Sequence, residues 1–166
     1  IEIINFLLNH SENELLPGCF DGCRKLTTLS IPSSISEIPS FTFQKCAKLQ
    51  RVTIPSAVKF IRVSAFKYCS SLTNINIPSS VKYIWCGAFK GCSSLEQINI
   101  SSTTINVIEE YLFEECKSLK QITIPSSVTS IKKNAFKDCL KMTQITFNHP
   151  SSLKTICESS FQNCAS

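Results

Sequence analysis

Glycine and histidine are scarce in this 166-residue chain, which excludes several kinds of catalytic site. The four glycines all lie at one recurring turn, so the chain has no glycine-rich phosphate loop. The two histidines, His10 and His149, are near opposite ends, and no Cys-x-x-Cys pair occurs, which argues against zinc. Serines are abundant, but they repeat in turns. We expect no enzymatic activity, no cofactor and no metal.

Long hydrophobic runs are also missing. No apolar stretch approaches the ~20 residues that cross a bilayer, so we expect no membrane insertion in this segment. The first eight residues have no basic start and no small-residue cleavage site, and we do not interpret them as a signal peptide. Because the chain begins without Met and its last unit is short, we expect it to be a piece of a longer array.

A repeat of about 23 residues runs through the chain, with the pattern Phe-x-x-Cys-x-x-Leu-x-x-Ile-x-Ile-Pro-Ser-Ser-Val-x-x-Ile-x-x-x-Ala. A period of this length predicts a solenoid, in which each unit stacks only on its neighbours. We expect one array over residues 1–166, with an irregular unit at 1–19, about six full repeats from Phe20, and a truncated unit at 161–166. The anchoring phenylalanines are Phe20, Phe43, Phe66, Phe89, Phe113, Phe136 and Phe161.

One repeat, residues 72–92, illustrates the expected structure. Leu72, Ile75 and Ile77 alternate with polar residues, which predicts a short half-buried strand that ends at Pro78. Residues 81–84 return two apolar side chains to the core, and residues 88–92 close the unit as a short 3₁₀ or helical turn. Two longer repeats gain their extra residues in the turn after the strand, at 101–104 and 148–152. Surface loops accept such insertions at little cost.

The strand motif Leu-x-x-Ile-x-Ile-Pro and the turn motif Ile-x-x-x-Ala-Phe-x-x-Cys resemble the BspA-like class of leucine-rich repeats over residues 15–166. The resemblance implies a β-rich α/β solenoid, right-handed and curved, with a concave parallel β-sheet and a convex side of turns and short 3₁₀ segments. It also implies a non-enzymatic protein of the surface of bacteria or protists, with a role in adhesion or aggregation. The ligand varies among members of the family, so fold alone does not identify it.

Ten cysteines invite a disulfide or metal interpretation, but seven of them occupy one repeat position. We expect these seven to stack as a buried file of reduced thiols, since free cysteine is among the most buried residue types. Cys19, Cys86 and Cys157 lie outside the file, and Cys157 occupies a position that holds charge in other repeats, so we expect it to be exposed. The file consists of Cys23, Cys46, Cys69, Cys92, Cys116, Cys139 and Cys164.

The net charge of +5 is banded along the chain. Residues 22–95 hold ten basic residues and only Glu37 as an acid, whereas residues 96–116 hold five glutamates and no Lys or Arg. Two interpretations stay open: a solvated surface, or a basic band that attracts an acidic protein, a glycan or a membrane surface. Nucleic acid is not expected, because the basic residues are not interleaved with exposed aromatics. The glutamates at 109–115 form either a solvated acidic turn or a weak cation site.

The outward strand positions form two polar files on the expected concave face. Their amides and hydroxyls either bond to one another along the sheet or offer a polar trough to an extended peptide or a glycan. Trp85, the only tryptophan, lies one repeat after Arg62, and it is either an exposed second candidate contact or partly packed under a turn. The candidate partner-binding residues are Arg51, Asn74, Asn76, Gln97, Asn99, Gln121, Thr123 and Gln144 on the face, with Arg62 and Trp85 elsewhere.

Two N-glycosylation patterns occur, Asn9-His10-Ser11 and Asn99-Ile100-Ser101. A glycan on Asn99 would block the concave face. With these features, we predict a protein-binding or adhesion module of a cell-surface or secreted protein, with a host matrix or surface protein, or a glycan, as its ligand. The alternative is an intracellular scaffold that binds a signalling protein. The sequence does not determine the oligomeric state.

Overall fold

The computed structural model describes residues 14–164, and these form a β-solenoid with two short strands in each turn. The predicted irregular unit at 1–19 lies mostly outside the described residues, as do His10, the Asn9 glycosylation pattern and the last two residues of the final unit. The strands of the first sheet are β1 Thr28–Ser30, β3 Arg51–Thr53, β5 Asn74–Asn76, β7 Gln97–Asn99, β9 Gln121–Ile124 and β11 Gln144–Phe147. Those of the second sheet are β2 Glu37–Ile38, β4 Phe60–Ile61, β6 Tyr83–Ile84, β8 Val107–Ile108, β10 Ser130–Ile131 and β12 Thr155–Ile156.

Every strand that pairs does so in parallel with the equivalent strand of a neighbouring repeat. In the first sheet the pairs are β1 with β3, β5 with β7 and β9 with β11. In the second sheet, β2, β4 and β6 form one three-stranded ladder, and β8, β10 and β12 form another. The register advances by one repeat, for example Ile75 opposite Ile98. The same residue position therefore forms a file along the stack.

A single apolar core fills the space inside the turns, from Phe20 to Met142. The side chains predicted to point inward do so: Leu72 is fully buried, and Ile75 and Ile77 are at most 4% exposed. Val81 and Ile84 reach the same core from the second sheet. Leu15, just inside the described range, packs against the core and is half-buried.

The phenylalanine file is continuous from Phe20 to Phe161. Neighbouring rings stack with centroids 5.2 to 5.9 Å apart, and the widest step, from Phe89 to Phe113, crosses the 24-residue repeat. Backbone bonds accompany the rings. The amide of Phe66, for example, donates to the carbonyl of Ala88 in the next repeat at 2.8 Å. Each phenylalanine from Phe20 to Phe136 therefore joins two repeats through both its ring and its backbone.

The cysteine file is attached to the same phenylalanines. Each thiol from Cys46 to Cys164 donates to the carbonyl of the phenylalanine one repeat earlier, as Cys69 Sγ does to Phe43 at 3.1 Å and Cys92 Sγ to Phe66 at 3.2 Å. None of the ten cysteines, which all lie within residues 14–164, forms a disulfide. The expected buried file is confirmed for its five central members, whereas its terminal members, Cys23 and Cys164, are half-buried. Burial raises the pKa of the Cys46 thiol to about 12.

The turn before the cysteine is not the 3₁₀ or helical turn expected from the sequence. Two residues in each repeat, four positions apart, adopt left-handed backbone conformations that interrupt any helix. No helix occurs in residues 14–164, so the α part of the expected fold label does not apply. The left-handed residues are Gly18, Gly22, Phe41, Lys45, Ser64, Tyr68, Gly87, Gly91, Tyr111, Glu115, Asn134, Asp138, Ser159 and Asn163.

The left-handed positions build a third ladder along the stack. Their amides point at the following repeat, where Ser64 donates to Cys86 at 3.1 Å and Tyr68 donates to Lys90 at 2.8 Å. The phenylalanine amide lies between these two bonds. A left-handed conformation costs a residue other than glycine of order 1–2 kcal/mol. Hydrogen bonding between repeats offsets this cost.

Gly91 is required at its position for a second reason. A Cβ there would lie 2.6 Å from Cε1 of the Tyr68 ring and still closer to Cδ1, whereas a Cβ on Gly87 meets nothing nearer than Ser64 Oγ at 3.5 Å. We predict that Gly91→Ala lowers the free energy of unfolding by roughly 1–3 kcal/mol more than Gly87→Ala, because both add left-handed strain and only one overlaps a ring. Urea unfolding measures the difference.

The control for this prediction is Tyr68→Ala combined with Gly91→Ala. Removing the ring should bring the cost of Gly91→Ala, measured in the Tyr68→Ala background, close to that of Gly87→Ala. Equal costs for the two glycine variants in the wild-type background would contradict the proposed overlap.

The cysteines should differ sharply in reactivity. We expect iodoacetamide at pH 8 to alkylate the exposed Cys19 in the folded protein and to leave the five buried members of the file unmodified, because burial excludes the reagent. Burial also raises the pKa of the thiols of Cys46, Cys69, Cys92 and Cys116, so moderately higher pH should not convert them to the reactive thiolate. Peptide mass spectrometry locates the label, and native-state labelling of Cys69 or Cys92 would refute this expectation.

Candidate partner-binding surfaces

The outward side chains of the first sheet form a surface that we call the polar sheet face. Each strand contributes two side chains to it, because the residue between them points into the core. All of them are exposed except the half-buried Thr123. The face consists of Thr28, Ser30, Arg51, Thr53, Asn74, Asn76, Gln97, Asn99, Gln121, Thr123, Gln144 and Thr146.

A shallow depression of about 290 Å³ lies in the later half of this face. Gln97, Gln121 and Gln144 form one side of it, with Asn99 and Thr123 among the other lining residues. Five of the predicted site residues are thus brought together. Arg51, Asn74 and Asn76 lie on the same face, outside the depression.

The glutamine file is not bonded to itself. Over residues 14–164, no hydrogen bond joins the side chains of Gln97, Gln121 and Gln144, so the self-bonded ladder considered from the sequence is not what the structure has. Asn99 is engaged locally, because its Oδ1 accepts bonds from the backbone amide and the hydroxyl of Ser101 at 3.1 and 2.8 Å. The three glutamine amides are left to solvent or to a ligand.

A second surface carries Arg62 and Trp85, which the structure brings together. The guanidinium carbon of Arg62 lies 4.3 Å from the centroid of the Trp85 ring and 5.3 Å from that of Phe60, and a 2.7 Å ion pair with Glu37 fixes it. Tyr83 completes the cluster, 5.5 Å from Trp85 and 6.0 Å from Phe60 between centroids. We call Phe60, Arg62, Tyr83 and Trp85 the aromatic patch.

Sequence reasoning missed Phe60 and Tyr83, which lie directly opposite each other on β4 and β6. The signal was present, since Phe60-Ile61-Arg62 and Tyr83-Ile84-Trp85 both alternate outward, inward, outward. A strand of two residues is too short to stand out as an alternation.

The position shared by Trp85 and Cys157 is half-buried in both repeats, so the expectation that Cys157 is exposed is wrong.

Among the glutamates at 109–115, Glu114 does not belong to a solvated acidic turn. The carboxylate of Glu114 is buried against the ammonium of Lys90, and the Nζ of that ammonium lies 5.3 Å from the centroid of the Tyr111 ring. Burial lowers the pKa of Lys90, but the hydrogen bond and charge of Glu114 outweigh it and raise the pKa overall. Glu110 is exposed, and Glu109 and Glu115 are half-buried. In the described part of the chain, no three metal-binding side chains converge, and no helix is long and apolar enough to cross a membrane.

The repeat was compared with known families and structures. The profile of the BspA-type leucine-rich repeat region, which contains six copies of the repeat, matches residues 2–107 and 86–166. The chain belongs to the BspA-type leucine-rich repeat family. This establishes the resemblance expected from the strand and turn motifs. The repeat fold of this family is typically a scaffold for binding. A search of curated proteins found no match.

Solved structures of bacterial leucine-rich repeat proteins share the fold of this BspA-type array. One from T. pallidum is 28% identical, with a TM-score of 0.77 over 86% of this chain and 65% of its own length. One from Bacteroides ovatus is 29% identical, with a TM-score of 0.70 over 91% of this chain and 44% of its own. A third, from Eubacterium ventriosum, is 21% identical, with a TM-score of 0.72 over 84% of this chain and 43% of its own length. This chain spans less than two thirds of each.

The contact between Arg62 and Trp85 gives a direct prediction. Arg62→Ala should expose the indole and shift Trp85 fluorescence to longer wavelength, with a loss of roughly 0.5–1 kcal/mol in the free energy of unfolding. The matched control is Lys132→Ala, at the same repeat position but beside no aromatic ring of the patch. Identical emission spectra for wild type and Arg62→Ala would show that the guanidinium does not cover the ring.

Proposed function

We propose that this BspA-type array is a non-enzymatic protein-binding module that presents the polar sheet face to an extended segment of a partner. The observation that carries the proposal is the row of exposed glutamine amides at Gln97, Gln121 and Gln144 beside the depression. Each amide offers both donors and an acceptor, which is what a peptide backbone requires.

The dimensions of the depression support a peptide ligand. Its three strands, at ~4.8 Å spacing, span about 10 Å, the length of roughly three residues of extended chain. Ile98 and Ile122 also line the depression, although their side chains point into the core. None of the outward residues of this face is aromatic, so the face has no platform on which a sugar ring would stack. An extended polypeptide therefore fits better than a glycan.

We place the module on a cell-surface or secreted adhesion protein. The support for this location is membership of the BspA-type family, which the sequence resemblance links to surface adhesion. Host matrix proteins are the partner class that such a role implies. The protein to which this array belongs would use the array as its contact surface.

An intracellular scaffold is the second candidate, and the thiol file favours it. The six thiols from Cys46 to Cys164 are hydrogen-bond donors to phenylalanine carbonyls, a role that requires them to stay reduced. Reducing compartments keep thiols in that state. The partner would then be a signalling protein, bound through the same polar sheet face.

Binding of the immobilised array to fibronectin, laminin and collagen, measured by biolayer interferometry, tests the adhesion proposal. We expect at least one of these proteins to bind, and we expect the triple variant Gln97→Ala, Gln121→Ala, Gln144→Ala to weaken that binding about tenfold or more. Each lost amide removes a hydrogen bond of order 1 kcal/mol, and 1.4 kcal/mol corresponds to tenfold.

The matched control is the double variant Gln44→Ala, Gln162→Ala, which removes the same side chains from the turns outside the polar sheet face. It should bind like the wild type. If the intact array binds none of the three matrix proteins, the adhesion proposal fails. If binding survives the triple variant unchanged, the polar sheet face is not the contact surface.

A further inference from the structure

The outer surface of the second sheet is ordered in five levels, one for each repeat from β2 to β10, and we call it the second-sheet face. Each level consists of the outward strand residues and the polar residues that flank them. The first level carries Glu37; the second Lys59, Phe60 and Arg62; the third Lys82, Tyr83 and Trp85; the fourth Val107, Glu109 and Glu110; and the fifth Ser130, Lys132 and Lys133.

The charges on this face differ in sign from level to level, except that the aromatic third level carries the basic Lys82 beside the basic second level. The first level is acidic, the second basic, the third mainly aromatic, the fourth acidic and the fifth basic. β6 and β8 do not pair as strands, but the amide of Gly87 donates to the carbonyl of Glu110 at 3.0 Å, which holds the fourth level against the third. Levels at equal distances on either side of the third level thus carry opposite charges: the first is opposite in sign to the fifth, and the second to the fourth.

This reversal makes the surface complementary to itself. Suppose two copies meet face to face, related by a two-fold axis that runs along the strands at the third level. The second level of one copy then lies over the fourth level of the other, and the first lies over the fifth. Opposite charges meet at both places, as an isologous contact requires. The third level meets itself through its aromatic side chains.

We propose that the protein forms a reversible homodimer through the second-sheet face, with Trp85 at the two-fold axis and Arg62 facing Glu109 of the second copy. Phe60 lies over Val107 of the second copy in the same arrangement. Basic Lys59 and Arg62 together meet the two carboxylates at 109 and 110.

Apolar burial drives this contact, and charge sets its alignment. Tyr83 is 51% exposed, and the half-buried Trp85 and Phe60 adjoin it, so a cluster of aromatic surface gains from leaving water. Like charges meet at only one level, where Lys82 of each copy lies near the axis. Its exposed chain is long enough to turn its ammonium into solvent.

The existing ion pairs do not prevent the contact. Arg62 with Glu37 and Lys133 with Glu158, at 2.7 and 2.6 Å, both have side chains more than a third exposed, and exposed pairs contribute little stability. Across residues 14–164, neither Glu109 nor Glu110 has an ion pair within 4.0 Å. These two carboxylates are the strongest reason for a cationic surface to dock at the fourth level.

A second copy fits this face better than an acidic partner protein does. A uniformly acidic segment would match Lys59, Arg62 and Lys82 but would be repelled by Glu109 and Glu110 one level further on. Five strands at ~4.8 Å spacing form a strip only about 20–25 Å long, at the small end of specific interfaces, so the dimer should be weak and reversible. The polar sheet face is on the other sheet and stays free in both copies.

Sedimentation equilibrium tests the proposal with the protein itself, from low to high micromolar concentration at low ionic strength. We expect the average mass of the wild type to rise toward that of a dimer as concentration increases. Arg62→Glu alone and Glu109→Arg alone should each stay monomeric. The double variant Arg62→Glu, Glu109→Arg should dimerise again, because each charge meets its opposite on the second copy.

Two further measurements keep folding separate from association. Circular dichroism verifies that each variant is folded, and Lys48→Glu, an exposed charge reversal away from the second-sheet face, should dimerise like the wild type. Fluorescence of the only tryptophan should change with concentration in the wild type and not in the single reversals. A wild type that stays monomeric throughout, single reversals that still dimerise, or a double variant that fails to recover would each overturn the proposal.

Discussion

The contact between one phenylalanine and the next is the interaction on which the rest of the structure depends. Phe66 stacks its ring between Phe43 and Phe89, donates its amide to Ala88, and accepts the thiol of Cys92 at its carbonyl. No single repeat can satisfy these groups by itself, so every turn requires a neighbour. The two sheets and the left-handed turns follow the axial spacing that this file sets.

The sequence predicted the parts of the fold that recur in every repeat. The period, the inward positions of the first sheet and the buried thiols all follow from residues that are apolar in each unit. The left-handed turns could not be predicted, because Phe41, Tyr68 and Glu115 adopt them although their residue types disfavour them. Only the ladder to the next repeat explains these conformations, and a ladder is a tertiary feature.

The outward placement of the sheet-face residues was predicted from the sequence, whereas the aromatic patch was predicted only in part. The outward files of the first sheet follow from strand alternation, so Gln97 and Gln121 were placed correctly. Phe60 and Tyr83 each occur in a single repeat, on strands of two residues, so the repeat pattern gives no signal for an aromatic residue at their position. The burial of Glu114 against Lys90 was also missed, because the two residues are one repeat apart in sequence. The positions that vary between repeats thus hold both the surface proposed for partner binding and the surface proposed for self-association.

The phenylalanine file carries the cohesion of the stack. Amide hydrogen exchange, measured residue by residue, tests this role of the file. The amides of Phe43, Phe66, Phe89 and Phe113, which donate to the following repeat, should exchange most slowly, with protection falling toward both ends of the array. If the amides of the first-sheet strands are the more protected, or if the phenylalanine amides exchange as fast as those of exposed turns, this role of the file is contradicted.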